Sequence, residues 1–137
     1  MKKLMIMAVM AAFLATGAWA QAETRHEENV SWYRIHLGQG TGENALSGED
    51  IAAFIDAEIT PRFSQGLTVT EARGQWNSPN GLVREKTTVV DIQAPDRPEV
   101  RASVAAIAEV YLKLYKEKAG VSLFVMKVDG MSTDLYY

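Results

Sequence analysis

From Val30 to Leu37 the chain reads Val-Ser-Trp-Tyr-Arg-Ile-His-Leu, a run dense in β-formers that predicts a first strand. The polar stretch before it, Gln21 to Asn29, predicts a flexible arm. After a glycine-bearing loop, Ile51, Phe54, Ile55 and Ile59 recur at i, i+3, i+4 and i+8, the single apolar stripe of a surface helix. Ser47 and Asp50 stand at N-cap and N3 spacing, and Glu49 adds negative charge at the positive helix end. Pro61 disfavours helical geometry at Thr60 and so sets the end of this helix. Gly66 then turns the chain into a second strand, Leu67 to about Trp76.

Asn77-Ser78-Pro79-Asn80-Gly81 is a dense turn cluster. It is followed by a third strand, Leu82 to Ile92, and the two strands are expected to pair as a hairpin. A loop over 77–81 would set Trp76 opposite Leu82 and Arg73 opposite Glu85. A two-residue turn on Asn80-Gly81 would shift that pairing, and the sequence leaves the register open.

Asp96 and Glu99 have capping-box spacing, and Pro98 suits a first helical turn. Val100, Val104, Ile107, Tyr111, Leu114 and Tyr115 then mark the buried stripe of a long second helix, stopped by Gly120. Val121 to Val128 predicts a fourth strand. Asp129-Gly130 reads as a turn, after which Met131 to Tyr137 forms a short fifth strand or a tail. The order β-α-β-β-α-β, with one apolar stripe per helix, predicts an α+β ferredoxin-like sandwich: two helices on one face of an antiparallel four-stranded sheet. The other sheet face has no helix, and a partner or ligand is expected there.

The first twenty residues change the picture of where this domain acts. Lys2 and Lys3, an uncharged apolar run from Leu4 to Ala15, and the small-x-small site Ala18-Trp19-Ala20 predict a signal peptide cut before Gln21. The apolar run is too short for the ~20 residues that span a bilayer, so no stable membrane insertion is expected after cleavage. The mature chain, Gln21 to Tyr137, would be periplasmic or secreted, with one α+β domain from 30 to 137. With Lys2 and Lys3 gone, the 14 basic residues fall to 12 against 17 acidic, a net charge of −5. A mildly acidic domain without a basic run is a poor nucleic-acid binder. The chain has no Cys, which excludes a lipid-linked cysteine, disulfides and thiol chemistry. Only Met126 and Met131 survive leader removal, against a Met-rich copper carrier.

Ile59-Thr60-Pro61-Arg62-Phe63, then Gly66-Leu67-Thr68-Val69 and Ala72-Arg73-Gly74-Gln75-Trp76, resemble the signature of a bacterial exported family, domain-of-unknown-function family 3574. Arg84-Glu85 and the helix from Ile107 to Tyr115 resemble it as well, so the likeness covers about residues 31 to 128. Ser64 departs from it, since a second proline is expected there. The resemblance implies domain limits and export and carries no activity.

Little in the chain spells a chemistry. Gly38, Gly40 and Gly42 have the spacing of a phosphate cradle, but Glu43 to Leu46 separate them from the helix N-terminus that a cradle needs. A flexible connector is the simpler reading. His26 and His36 are the only histidines, too few for a metal site without well-placed carboxylates, and no metal is assigned. Ser-His-Asp chemistry would have to use His36, and no Gly-x-Ser-x-Gly elbow accompanies it. The candidate ligand-binding residues are Arg62, Glu71, Arg73, Gln75, Trp76, Arg84 and Glu85. Strand alternation places Glu71, Arg73 and Gln75 on one face, expected to be the open one, where arginine would hold a carboxylate or other anion. The plainer reading is a cross-strand Arg73–Glu85 pair worth about 0.2–1 kcal/mol.

No cofactor is implied. The reading that follows is a non-catalytic exported binding or interaction module, a possible homodimer through its sheet face, with a small anionic ligand or a protein as further partner. The alternatives are a small cofactor-free enzyme using Arg73 and Glu85 or His36, and an inhibitor of a secreted enzyme presenting Gln39–Ala45 or Asn77–Gly81.

Overall fold

The computed structural model describes residues 23–136, so the leader lies outside the described residues. The elements are β1 (Thr24–Gly38), α1 (Gly48–Phe54), β2 (Thr68–Ser78), β3 (Gly81–Pro95), α2 (Pro98–Ala119) and β4 (Leu123–Tyr136). The sheet order is β2-β3-β1-β4, with β1 and β2 each antiparallel to β3. This is the ferredoxin-like arrangement expected from the apolar periodicities.

Residues 27–133 form one compact unit. The described chain ends, 23–26 and 134–136, belong to another, in which His26 Nδ1 lies 2.5 Å from Asp134 Oδ1. Residues 24–29, expected to be a flexible arm, are strand. Asp129-Gly130 does not turn the chain either. Gly130 takes φ 74° inside β4, which runs on to Tyr136 as one strand.

The core lies where the alternating residues of β1 and β3 meet the two helical stripes. Tyr33, Ile35 and Leu37 of β1 and Val90 and Ile92 of β3 pack with Ile51, Phe54, Val104, Ile107 and Tyr111. Burial of each such side chain contributes about 1.5–3 kcal/mol. Phe54, Tyr111 and Tyr115 meet edge to face at 5.0–6.0 Å, a geometry their ring quadrupoles favour. Tyr115 and Leu114 flank opposite borders of the α2 stripe. Phe54 packs against the Tyr115 border, and Leu114 is left exposed rather than buried.

The helix ends show which local signals held. Ser47 and Asp50 form the expected reciprocal capping box. The expected Asp96–Glu99 box does not form: the N-cap is Arg97, with no side-chain cap. The Asp96 carboxylate instead accepts from Arg101 Nη1 at 2.5 Å and Lys127 Nζ at 3.1 Å, and two cations outcompete a backbone N–H. After Phe54 the helix widens into a π turn, Ile55–Ile59, in which Thr60 N donates back to the Ile55 carbonyl. A 3-10 turn, Thr60–Arg62, follows. Pro61 has no N–H to continue an α register at this corner.

Gly38 to Gly40, expected to be a loose connector, is buried and tightly bonded. Gly38 N donates to Ser122 O, Gln39 N to Lys86 O, and Leu46 N to Gln39 O, all within 3.0 Å. Tyr111 Oη donates to the Gly38 carbonyl at 2.8 Å. Gly40 takes φ 77° against the end of α2, where a Cβ would stand 2.1 Å from the Ala119 carbonyl oxygen. Glycine is required there by both conformation and space.

Candidate functional site

The β2–β3 hairpin decides where the sequence candidates go. Its connection is the two residues Pro79-Asn80, closed by Ser78 opposite Gly81. Ser78 Oγ accepts from Asn80 N and donates to Gly81 O, and Gly81 takes φ 111°. Arg73 therefore faces Lys86, and Glu85 faces Gly74. A slip of one residue exchanges the two faces of a strand, so Arg73 and Glu85 point to opposite sides of the sheet and the expected pair does not exist.

Glu71, Arg73 and Gln75 share the side of Val69, which lines a cavity with Ile51 and Ile55 of the α1 segment. The expectation that they form a patch on the open sheet face is thus corrected: they lie on the helix side. Gln75 faces Arg84 farther out on the hairpin. Trp76, by contrast, is on the open side and 50 % exposed. Arg62 Nη1 donates to the Glu58 carbonyl and, at 2.8 Å, to Glu58 Oε2, so it closes the end of the first helix. Glu85 accepts from Gly40 N at 3.0 Å and lies over Gly38 and Gly74, where a Cβ would collide with Glu85 or Thr87. Of the seven candidates, only Glu71 and Arg73 line the cavity, while Gln75 and Arg84 face each other beyond it.

The open face carries a different cluster. Trp32, Arg34 and His36 of β1 alternate with the core residues Tyr33, Ile35 and Leu37, and Arg34 pairs across to Asp91 of β3. Arg34 Nε and Nη2 donate to Asp91 Oδ1 and Oδ2 at 2.7 and 2.9 Å, a two-pronged bond. Trp32 Nε1 donates to the same carboxylate at 2.9 Å, and the Arg34 guanidinium stands 4.6 Å over the Trp32 ring. His36 stacks on Phe124 of β4 at 4.4 Å between ring centroids. Alongside, Phe124 is 56 % exposed, Val128 40 % and Met126 39 %.

The electrostatics follow from these contacts. The Arg34 hydrogen bond, helped by Trp32, holds the Asp91 carboxyl below its usual range. Burial, and then the charge of Arg34, pushes the His36 imidazole below its ordinary value. At neutral pH the cluster has one balanced ion pair and a neutral ring. Sequence reasoning missed it apart from His36. The signal was the Trp32-x-Arg34-x-His36 alternation; Asp91 could join it only once the β1–β3 register was known.

Residues 33–129 match a family model described as a protein of unknown function, DUF3574. The chain belongs to this family. Nothing matched among curated proteins. A phage SAM lyase in complex with S-methyl-5'-thioadenosine superposes with TM-score 0.59 and 15 % identity, over 82 % of this chain and 94 % of the lyase. CutA from Synechococcus elongatus complexed with Bis-Tris superposes with TM-score 0.50 and 5 % identity, over 81 % and 89 %. At these identities the likeness is one of fold. Among the described residues of this DUF3574 member, no helix is long and apolar enough to cross a membrane.

Proposed function

We propose that this DUF3574 chain is an exported binding module whose interaction surface is the open face of the sheet, and that its occupant is a second copy of itself. The observation that carries this is the Trp32–Arg34–Asp91 cluster beside an exposed apolar row on β4. Arg34 and Asp91 satisfy each other within one copy, so this pair can lose water without leaving either of its charges unpaired. A pair balanced within one copy meets its own image without like-charge repulsion. Phe124, Met126 and Val128 form one exposed apolar row along β4, and Trp76 is exposed on the same face at the far strand.

Sedimentation of the chain beginning at Gln21 is expected to show a dimer at micromolar concentration. Phe124→Glu is expected to give a monomer that still unfolds cooperatively, at a somewhat lower temperature because the His36 stack and the association are both lost. A wild-type chain that stays monomeric at high micromolar concentration sinks the proposal.

Export is supported by the basic start, short apolar run and Ala18-Trp19-Ala20 site. Terminal sequencing of protein recovered from a bacterial envelope or medium is expected to begin at Gln21; processed material still starting at Met1 would contradict it. A small cofactor-free enzyme is the second reading, favoured by the helix-side cavity. The phage lyase complex supports it only so far as the same fold there carries a small organic ligand.

A further inference from the structure

A second site lies on the opposite side of the sheet. A cavity of about 610 Å³ opens between the α1 segment and the β2–β3 hairpin. Its apolar wall includes Ile51, Ile55 and Val69, and its polar rim includes Asp56, Glu71, Arg73 and Lys86. At its inner end stands Gln39, 5 % exposed, with Thr87 and Thr88 also buried.

Two features of this cavity are unexplained by folding alone. Gln39 Nε2 donates to Thr88 Oγ1 at 2.9 Å, but Gln39 Oε1 accepts no hydrogen bond although it is buried. An acceptor left that way destabilises the fold, and a donor entering the cavity would satisfy it. Arg73 and Lys86 are direct cross-strand partners on the cavity side. Like charges so placed repel, and among the described residues neither forms an ion pair. An anion between them would turn the repulsion into a clamp. Asp56 and Glu71 give the same rim two acceptors of opposite sign.

We propose that this cavity binds a small zwitterion of the α-amino-acid class. The carboxylate lies on Arg73 and Lys86. The ammonium lies toward Glu71 and Asp56, with one of its N–H groups directed to Gln39 Oε1. The apolar side chain lies on Ile51, Ile55 and Val69. The volume matches that of small-molecule pockets, which are mostly apolar with a few polar groups that fix orientation. Neither the open sheet face nor self-association is needed for this site.

The test is calorimetric titration of the chain beginning at Gln21 with the standard L-α-amino acids. For whichever binds, the matched deaminated acid and decarboxylated amine are titrated too. An apolar amino acid such as L-leucine is expected to bind, and both truncated analogues to bind about tenfold more weakly or worse. Arg73→Ala and Glu71→Gln are each expected to weaken the amino acid by about tenfold or more, as charge-assisted bonds are lost. Leu114→Ala, at an exposed position of α2 away from the cavity lining, is expected to leave binding unchanged. If Arg73→Ala melts too low to titrate, Lys86→Ala, at an exposed strand position, takes its place. Absence of binding by every amino acid overturns the proposal. So does a deaminated acid that binds as tightly as its parent, which would mark a plain anion site. Affinity unchanged in the charge variants overturns it as well.

Discussion

Gly40→Ala is expected to lower stability by about 3 kcal/mol, roughly 10 °C in melting temperature for a domain of this size. Two costs add. The first is conformational: an L side chain at φ 77° costs about 1–2 kcal/mol. The second is steric: the new Cβ would stand 2.1 Å from the Ala119 carbonyl oxygen, well inside contact distance. That oxygen is backbone at the end of α2 and cannot rotate aside as a side chain would. Gly42 provides the control. It has the same φ, yet nothing lies within 4 Å of where its Cβ would be. Gly42→Ala is therefore expected to lose only about 1–2 kcal/mol, and the difference between the two melting curves isolates the clash. Equal losses would mean that the close approach of Gly40 to α2 has no energetic weight.

Acid is expected to weaken the fold in two steps, both centred on the open face. His36 comes first. Its folded pKa lies below the unfolded value of about 6.5, so the unfolded chain binds the proton more readily. Its contribution is present above that value and is lost as pH falls from about 6.5 through the folded pKa. Asp91 comes next. Its folded pKa is depressed, chiefly by Arg34, so its contribution is complete above about 4 and is lost as pH falls through the folded value. Asp96 and Asp129, both held low by Lys127, add to the second step. Melting temperature followed from pH 7.5 down to 2.5 should show both declines. His36→Gln should remove the first. Asp91→Asn should lower the whole curve and flatten the second, with a change in Trp32 emission as the acceptor of its ring nitrogen loses its charge. A stability that stays level from neutrality down to about pH 4 would contradict the His36 assignment.

The legible part of this chain is the part written in local pattern. Tyr33, Ile35 and Leu37 alternate as a strand facing a core must, and they are in that core. Ser47 with Asp50, Pro98 and Gly120 each mark a helix end by chemistry within a few residues. What stayed illegible depends on contacts distant in sequence or on a choice among near-equal local options. Ser78-Pro79-Asn80-Gly81 suits several turn lengths, and the one adopted separates Arg73 from Glu85. Arg34 meets Asp91 across 57 positions, beyond the reach of any period. Gly38 to Gly40 reads as a loose linker because nothing local announces that α2 will end against it. Gln39 reads as the start of an exposed, presentable loop for the same reason, yet its amide is buried at the cavity with an unbonded oxygen.

The wide turn at Ile55–Ile59 has a bearing on how this family can vary. It fits one more residue into the helical path than an α turn would, so a single deletion there could be absorbed without displacing the Pro61 corner or the hairpin beyond it. Tightening the turn to α winding would shift the phase of the residues within it, Asp56 on the cavity rim among them, while leaving the sheet intact. A one-residue change at this point alters the cavity rim and leaves the sheet and the Pro61 corner in place.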